Sequence, residues 1–266
     1  MNKSVFVWKA LVLLLLVFSF SCAPSAERLK NEEMAITVRN LGEKYMIEKN
    51  YPKAIKELTR AEQLNPKDPI TQHYMGLAFR SSAKTTRNPS SQNHFLALAV
   101  KHYKKALDLN PDYSIARNNL GNVYMDQKKW DEAIACYETV TKDLVYTTPY
   151  FPLSNLGWAY YNKKDYGLAE KYYLDALNLE PRFLLAMLGL GRTYIASGRT
   201  SDAIGVLEKA AEAYPQTPEI YLDLAEAYKA SKDNRKALAS YRKVIELSPK
   251  SVLAFKANKG IKKLNQ

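Results

Sequence analysis

The feature that most constrains this chain is a motif that returns six times at intervals of 34 residues or somewhat more. Each unit opens with a Leu-small pair or its variant: Leu41-Gly42, Met75-Gly76, Leu120-Gly121, Leu156-Gly157, Leu190-Gly191 and Leu224-Ala225. Three residues after the small residue stands an aromatic, in order Tyr45, Phe79, Tyr124, Tyr160, Tyr194 and Tyr228. An alanine follows later in each unit, at Ala54, Ala99, Ala133, Ala169, Ala203 and Ala237. Four residues beyond it comes Leu58, Tyr103, Tyr137, Tyr173, Leu207 or Tyr241, and three beyond that Ala61, Ala106, Val140, Ala176, Ala210 or Val244. Pro66, Pro111, Pro181, Pro215 and Pro249 close five of the units.

The spacings have one physical reading. Side chains at i, i+1 and i+4, joined by Leu153, Met187 or Tyr221 three before the Leu, share one helical face. Those at i, i+4 and i+7 make one face of a second helix, and the proline ends it because it cannot continue a helix and restricts the residue before it. Small residues let the two axes approach, while the Tyr and Leu rows fill the space between neighbouring hairpins. A hairpin alone leaves an apolar face wet, so neighbours must stack to cover it. The unit boundaries fall at 35–68, 69–113, 114–149, 150–183, 184–217 and 218–251. The second unit carries a polar stretch from Ser81 to His94 that reads as a disordered loop between its helices. The third ends Tyr146-Thr147-Thr148-Pro149 in place of the registered proline. Residues 252–266 read as a capping helix, with Val252, Phe255 and Leu264 on an apolar side and Lys256, Lys259, Lys262 and Lys263 on a wet one.

These residues resemble the tetratricopeptide repeat, whose period is 34. The resemblance implies an all-α, right-handed superhelical solenoid of six helix-turn-helix hairpins over 35–251, with the capping helix at its end. Sparse Gly (10) and Pro (12) agree with an all-helical chain.

Residues 1–21 stand apart from the repeats. Lys3 and Lys9 give a positive start, Leu11 to Phe18 is an unbroken apolar run, and Ser19 and Ser21 flank Phe20. This is the pattern of a secretory signal rather than a membrane span. Cys22 follows directly and resembles the lipobox cysteine of bacterial lipoproteins, which implies acylation at Cys22 with 22–34 as a tether. Ala23 after it implies, by that family's sorting habit, the periplasmic face of the outer membrane; cleavage without acylation would leave a soluble periplasmic protein. Residues 23–34 would span at most about 40 Å if extended. The remaining cysteine, Cys136, then has no disulfide partner and reads as a small buried residue. Losing the signal removes two of 39 basic residues and none of 27 acidic ones, leaving net +10. That excess suggests an anionic partner or nearby anionic lipid, and no nucleic-acid partner is expected of an exported chain.

No catalytic constellation accompanies the repeats. His73, His94 and His102 form no HExxH or other close metal spacing, there is no CxxC, no GxSxG elbow and no phosphate-cradling glycine loop. Nine of the nineteen tyrosines fill the two repeat positions and read as core. Neither an enzymatic role nor a cofactor or metal is expected.

In a tetratricopeptide superhelix the first helix of each hairpin lines the concave side. The resemblance therefore places His73, Tyr74, Asn118, Asn119, Asn122, Ser154, Asn155, Trp158, Tyr161 and Arg192 in a protein-binding groove. Asn carries both donor and acceptor and can pair with the backbone of an extended peptide; Trp158 and Tyr161 add rigid aromatic contact, and Arg192 would meet an acid on the ligand. The alternative for Asn118, Asn119 and Asn155 is that they cap or cross-link neighbouring helices. The layout resembles the type IV pilus pilotins of the PilF, PilW and Tgl kind, outer-membrane lipoproteins with six such hairpins. That resemblance implies a protein partner, a secretin subunit, assembled at a membrane to which the lipid holds the scaffold. An NlpI-like periplasmic adaptor for peptidoglycan enzymes is the alternative.

Overall fold

The computed structural model describes residues 26–264, so the proposed signal, Cys22 and the last two residues lie outside what is described here. Among the described residues there are thirteen helices and no strands. They are α1 (Ala26–Ile47), α2 (Tyr51–Leu64), α3 (Pro69–Thr85), α4 (Pro89–Leu109), α5 (Ser114–Asp126), α6 (Trp130–Val140) and α7 (Tyr150–Asn162). Then come α8 (Tyr166–Leu179), α9 (Leu184–Ala196), α10 (Thr200–Ala213), α11 (Pro218–Ala230), α12 (Asn234–Leu247) and α13 (Val252–Leu264). The chain forms two compact units that divide between Asn110 and Pro111. The first holds the hairpins α1–α2 and α3–α4; the second holds α5–α6, α7–α8, α9–α10 and α11–α12, followed by α13. Within each unit every helix packs most closely on its partner and next on the adjoining hairpin, as a stacked-hairpin solenoid requires.

The repeated residues build this packing directly. Ala54, Leu58 and Ala61 in α2, and their equivalents Ala133, Tyr137 and Val140 in α6, are completely buried. So are Ala203, Leu207 and Ala210 in α10 and Ala237, Tyr241 and Val244 in α12. The small residue of the leading helix is where the second helix comes closest. A Cβ on Gly121 would lie 2.6 Å from the Tyr137 ring, and one on Gly191 2.7 Å from Leu207. A side chain added at either glycine would require the facing Tyr137 or Leu207 side chain to shift.

The turn inside a hairpin is the same in five of the six. One residue adopts positive φ, namely Lys49 (57°), Lys128 (60°), Lys164 (63°), Gly198 (79°) or Lys232 (63°). The next N–H then reaches back to the carbonyl of the consensus aromatic: Asn50 to Tyr45, Lys129 to Tyr124, Asp165 to Tyr160, Arg199 to Tyr194 and Asp233 to Tyr228, all at 2.8–3.0 Å. This is a left-handed helix cap that satisfies a terminal carbonyl. Asn50, Asp165 and Asp233 then cap the following helix, accepting from the N–H of Lys53, Leu168 and Lys236.

Two readings of the sequence change. Ser81–His94 is not a loop, because α3 runs on to Thr85 and α4 starts at Pro89. Ser82 and Ala83 prolong the buried face of α3, and Asn88 caps α4 through the N–H groups of Ser90 and Ser91, with Pro89 in the first turn. Asn-Pro is a helix-start signal, so the polar insertion lengthens both helices and leaves only a short connection. Residues 26–34, read as part of a tether, instead form the first turns of α1, where Arg28 pairs with Glu32 at 2.9 Å. In addition, Val252 and Phe255 on α13 are 72% exposed, and the helix seats itself through Ala254, Ala257 and Gly260. Cys136 is half-buried on α6. Among the described residues no helix is long and apolar enough to cross a membrane.

Candidate functional site

In the second unit the leading helices α5, α7, α9 and α11 pack side by side. Three positions of each recur on one face: five before the Leu, one before it and two after it, an i, i+4, i+7 set. Along the unit these read Ile115, Asn119, Asn122; then Phe151, Asn155, Trp158; then Leu185, Gly189, Arg192; then Glu219, Asp223, Glu226. The face thus passes from amides through aromatic and apolar groups to acids. Ile115, Phe151, Trp158 and Leu185 are 50%, 39%, 39% and 57% exposed.

The amides are largely engaged with one another. Asn122 Oδ1 accepts from the Tyr137 hydroxyl at 2.8 Å and from Asn155 Nδ2 at 3.3 Å, tying α5, α6 and α7 together. Asn122 Nδ2 donates to Asn119 Oδ1 at 3.4 Å, and Asn118 Oδ1 is buried with no hydrogen-bond partner among the described residues. Cross-linking between hairpins is therefore the geometry in which Asn122 and Asn155 stand. The aromatic pair stays open: the rings of Trp158 and Tyr161 stack with centroids 5.3 Å apart and planes 9° from parallel.

Next to that pair is a pocket of about 250 Å³, lined from α7 by Ser154, Asn155 and Trp158, from α8 by Tyr173, and from α9 by Leu185, Leu188, Gly189 and Arg192. Gly189 makes it possible. In the other three hairpins of this unit the same position carries Asn119, Asn155 or Asp223, whereas a Cβ at Gly189 would overlap the Tyr173 ring. Tyr137 leans on Asn122, but the matching residue for Tyr173 is Trp158, whose indole has no acceptor, and the Tyr173 ring instead lies over Gly189. Tyr173, Leu185 and Gly189 were not among the site residues read from the sequence. A glycine inside a helix at an inward repeat position was the available signal.

Arg192 does not await a ligand acid, because its Nε donates to Asp223 Oδ2 at 2.8 Å. Burial nevertheless pushes the Asp223 carboxyl up to about 6; Arg192 opposes the shift, and Glu226 and Glu219 add to it. A carboxyl raised in the folded state adds stability that is complete below its unfolded value near 3.8 and is lost as pH rises through about 6. Asp223→Asn should therefore gain on the parent chain by about 2–3 kcal/mol between pH 4 and pH 7.5, read by urea unfolding at each pH. A difference that does not change with pH would remove this account of Asp223.

His73 and Tyr74 lie on α3 in the first unit, and the residues lining this pocket all belong to the second. His73 is buried, its ring centroid 5.3 Å from Tyr74 and 5.8 Å from Tyr103. Burial lowers its pKa to about 4, so its contribution has the opposite sense to Asp223, present above pH 6.5 and lost as pH falls. Among the described residues no group of three or more His, Cys, Asp or Glu side chains could hold a metal ion.

With this geometry in view, comparisons with known proteins are consistent. Family models for the tetratricopeptide repeat match residues 96–128, 116–147, 151–183 and 188–252. Anaphase-promoting complex subunit 6 of Arabidopsis thaliana is 25% identical over 165 residues, 60% of this chain and 30% of that protein. The CTR9 homolog of the same organism is 31% identical over 105 residues, 38% of this chain and 10% of that protein. The chain thus spans less than a third of the curated relatives it matches. Among solved structures, PilW, described as a widely conserved type IV pilus biogenesis factor, superposes with a TM-score of 0.73 at 20% identity, covering 88% of this chain and 99% of that one. PilF of Pseudomonas aeruginosa gives 0.69 at 20% identity over 86% and 99%. YrrB, described as having an unusual peptide-binding site, gives 0.52 at 25% identity over 76% and 97%. The chain is a tetratricopeptide-repeat protein.

Proposed function

We propose that this chain is an envelope scaffold that grips a polypeptide client on the leading-helix face of its second unit, with no catalytic role of its own. The observation that carries this reading is the pocket opened by Gly189 beside the Trp158–Tyr161 stack. At about 250 Å³ it falls below the range usual for small-molecule and cofactor sites, roughly 300–1,000 Å³. It matches one apolar side chain of a peptide, with Asn155 on its wall offering a hydrogen bond to the peptide backbone. Arg192 and Asp223 form one edge and hold each other in place.

Likeness to PilW and PilF over almost their whole length supports a place in type IV pilus biogenesis, with a secretin subunit as client. The sequence of residues 1–22 supports export and acylation at Cys22, which would keep the scaffold at the periplasmic face of the outer membrane. Tethering raises the effective concentration of scaffold for a membrane-bound client without any added contact.

Two experiments address this. Affinity purification from detergent-solubilised envelopes should bring down secretin subunits; recovery of peptidoglycan hydrolases or synthases instead would replace the pilus reading with the adaptor one. Cys22→Ala should move the protein from the membrane to the soluble fraction, and unchanged outer-membrane fractionation would refute acylation.

A further inference from the structure

The last helix carries a surface that neither the solenoid nor the groove uses. Tyr241 lies across Gly260, and Ala254 and Ala257 are buried beside it, so the rotation of α13 about its axis is fixed. That rotation leaves Val252, Phe255, Lys256, Lys259 and Lys263, an i, i+3, i+4, i+7, i+11 set, all exposed, with Lys263 at the edge of the face where its charge also acts on Glu226 of α11. Lys262 flanks the same face and Lys250 precedes it, both also exposed. From Ser248 to Gln266 the sequence has five lysines and no acidic residue. Lys262 and Lys263 in the last turn suit the helix dipole. The dipole does not explain Lys250, Lys256 and Lys259, nor two large apolar side chains left 72% exposed among them.

We propose that this face of α13 binds the surface of an anionic phospholipid bilayer, with Phe255 and Val252 entering the headgroup region and the lysines meeting lipid phosphates. Charge decides the occupant. A second copy using the same face would set five lysines against five, and the outer side of a single helix offers no groove to order an acidic peptide. A fluid anionic interface needs neither shape nor fixed partners, and it takes up an apolar tip beside a basic stripe. The contact is independent of the Gly189 pocket and of acylation at Cys22.

The test uses residues 22–266, which contain all thirteen helices of the described residues, with Cys22→Ser to exclude an acyl chain. Sedimentation with vesicles containing phosphatidylglycerol should show binding that weakens as salt is raised, and vesicles of phosphatidylcholine alone should show little. Each lysine near such a surface contributes about fivefold in partitioning. The combined variant Lys256→Ala, Lys259→Ala, Lys263→Ala should therefore lose on the order of a hundredfold, and Phe255→Ala about tenfold. These side chains are exposed, so circular dichroism and melting should be unchanged. Equal binding to neutral vesicles, no binding to anionic ones, or a triple variant that binds like the parent overturns the proposal. So does a dimer or a complex with an acidic polypeptide that depends on these lysines while vesicle binding is absent.

Discussion

Tyr137→Ala is expected to lower the unfolding free energy by about 3–5 kcal/mol, the range for truncating a buried aromatic. Tyr137 is completely buried and packs directly over Gly121. Its hydroxyl donates to Asn122, which also accepts from Asn155 on α7, so one side chain joins the third and fourth hairpins. Tyr137→Phe keeps the ring and removes only that bond, and should cost about 1–2 kcal/mol. Because stability in a stacked array is a sum over neighbouring interfaces, the alanine variant should lose cooperativity as well. Urea unfolding followed by circular dichroism and by tryptophan fluorescence, to which Trp130 and Trp158 both contribute, would give separate midpoints. A loss below about 1 kcal/mol for Tyr137→Ala would mean that the ring is not what fills this interface.

Trp158→Ala is expected to weaken client binding by thirtyfold or more, since a central aromatic anchor is commonly worth about 2 kcal/mol or above. The side chain is 39% exposed, so its loss should change stability by less than about 1 kcal/mol. Titration calorimetry against the client recovered from envelopes would report the affinity, and urea unfolding the stability. Wild-type affinity in this variant would move the client off the pocket. Substituting Asn122 should behave differently. Its amide belongs to the Tyr137–Asn155 link, so a loss of stability is expected to accompany any loss of binding.

The fold was legible because its determinants are one-dimensional. Ala133, Tyr137 and Val140 repeat on a helical period, and close packing leaves few other residues for Gly121 or Gly191 to face. The leading-helix face was legible for the same reason, since position within the repeat decides which side of a helix a residue occupies. What escaped were relations between hairpins. Arg192 meets Asp223 31 residues later, Asn155 meets Asn122 33 residues earlier, and Arg39 meets Asp68 29 residues later. Such pairs depend on rotamers at a junction rather than on composition. Gly189 was passed over because it carries no chemistry; its effect is to make room for Tyr173 and open space beside Trp158. Ser81–His94 was misread because its polarity outweighed the capping signal of Asn88-Pro89. Val252 and Phe255 were assigned inward on hydrophobicity, but against Tyr241 only the small side of α13 fits.

Four of the five left-handed turn residues are lysines, at Lys49, Lys128, Lys164 and Lys232, and Gly198 alone is free of a β-carbon there. A side chain in that conformation costs roughly 1 kcal/mol relative to glycine. The chain therefore keeps an unused thermal margin spread over its hairpin bends, and it places four cations at bends that glycine would have left neutral.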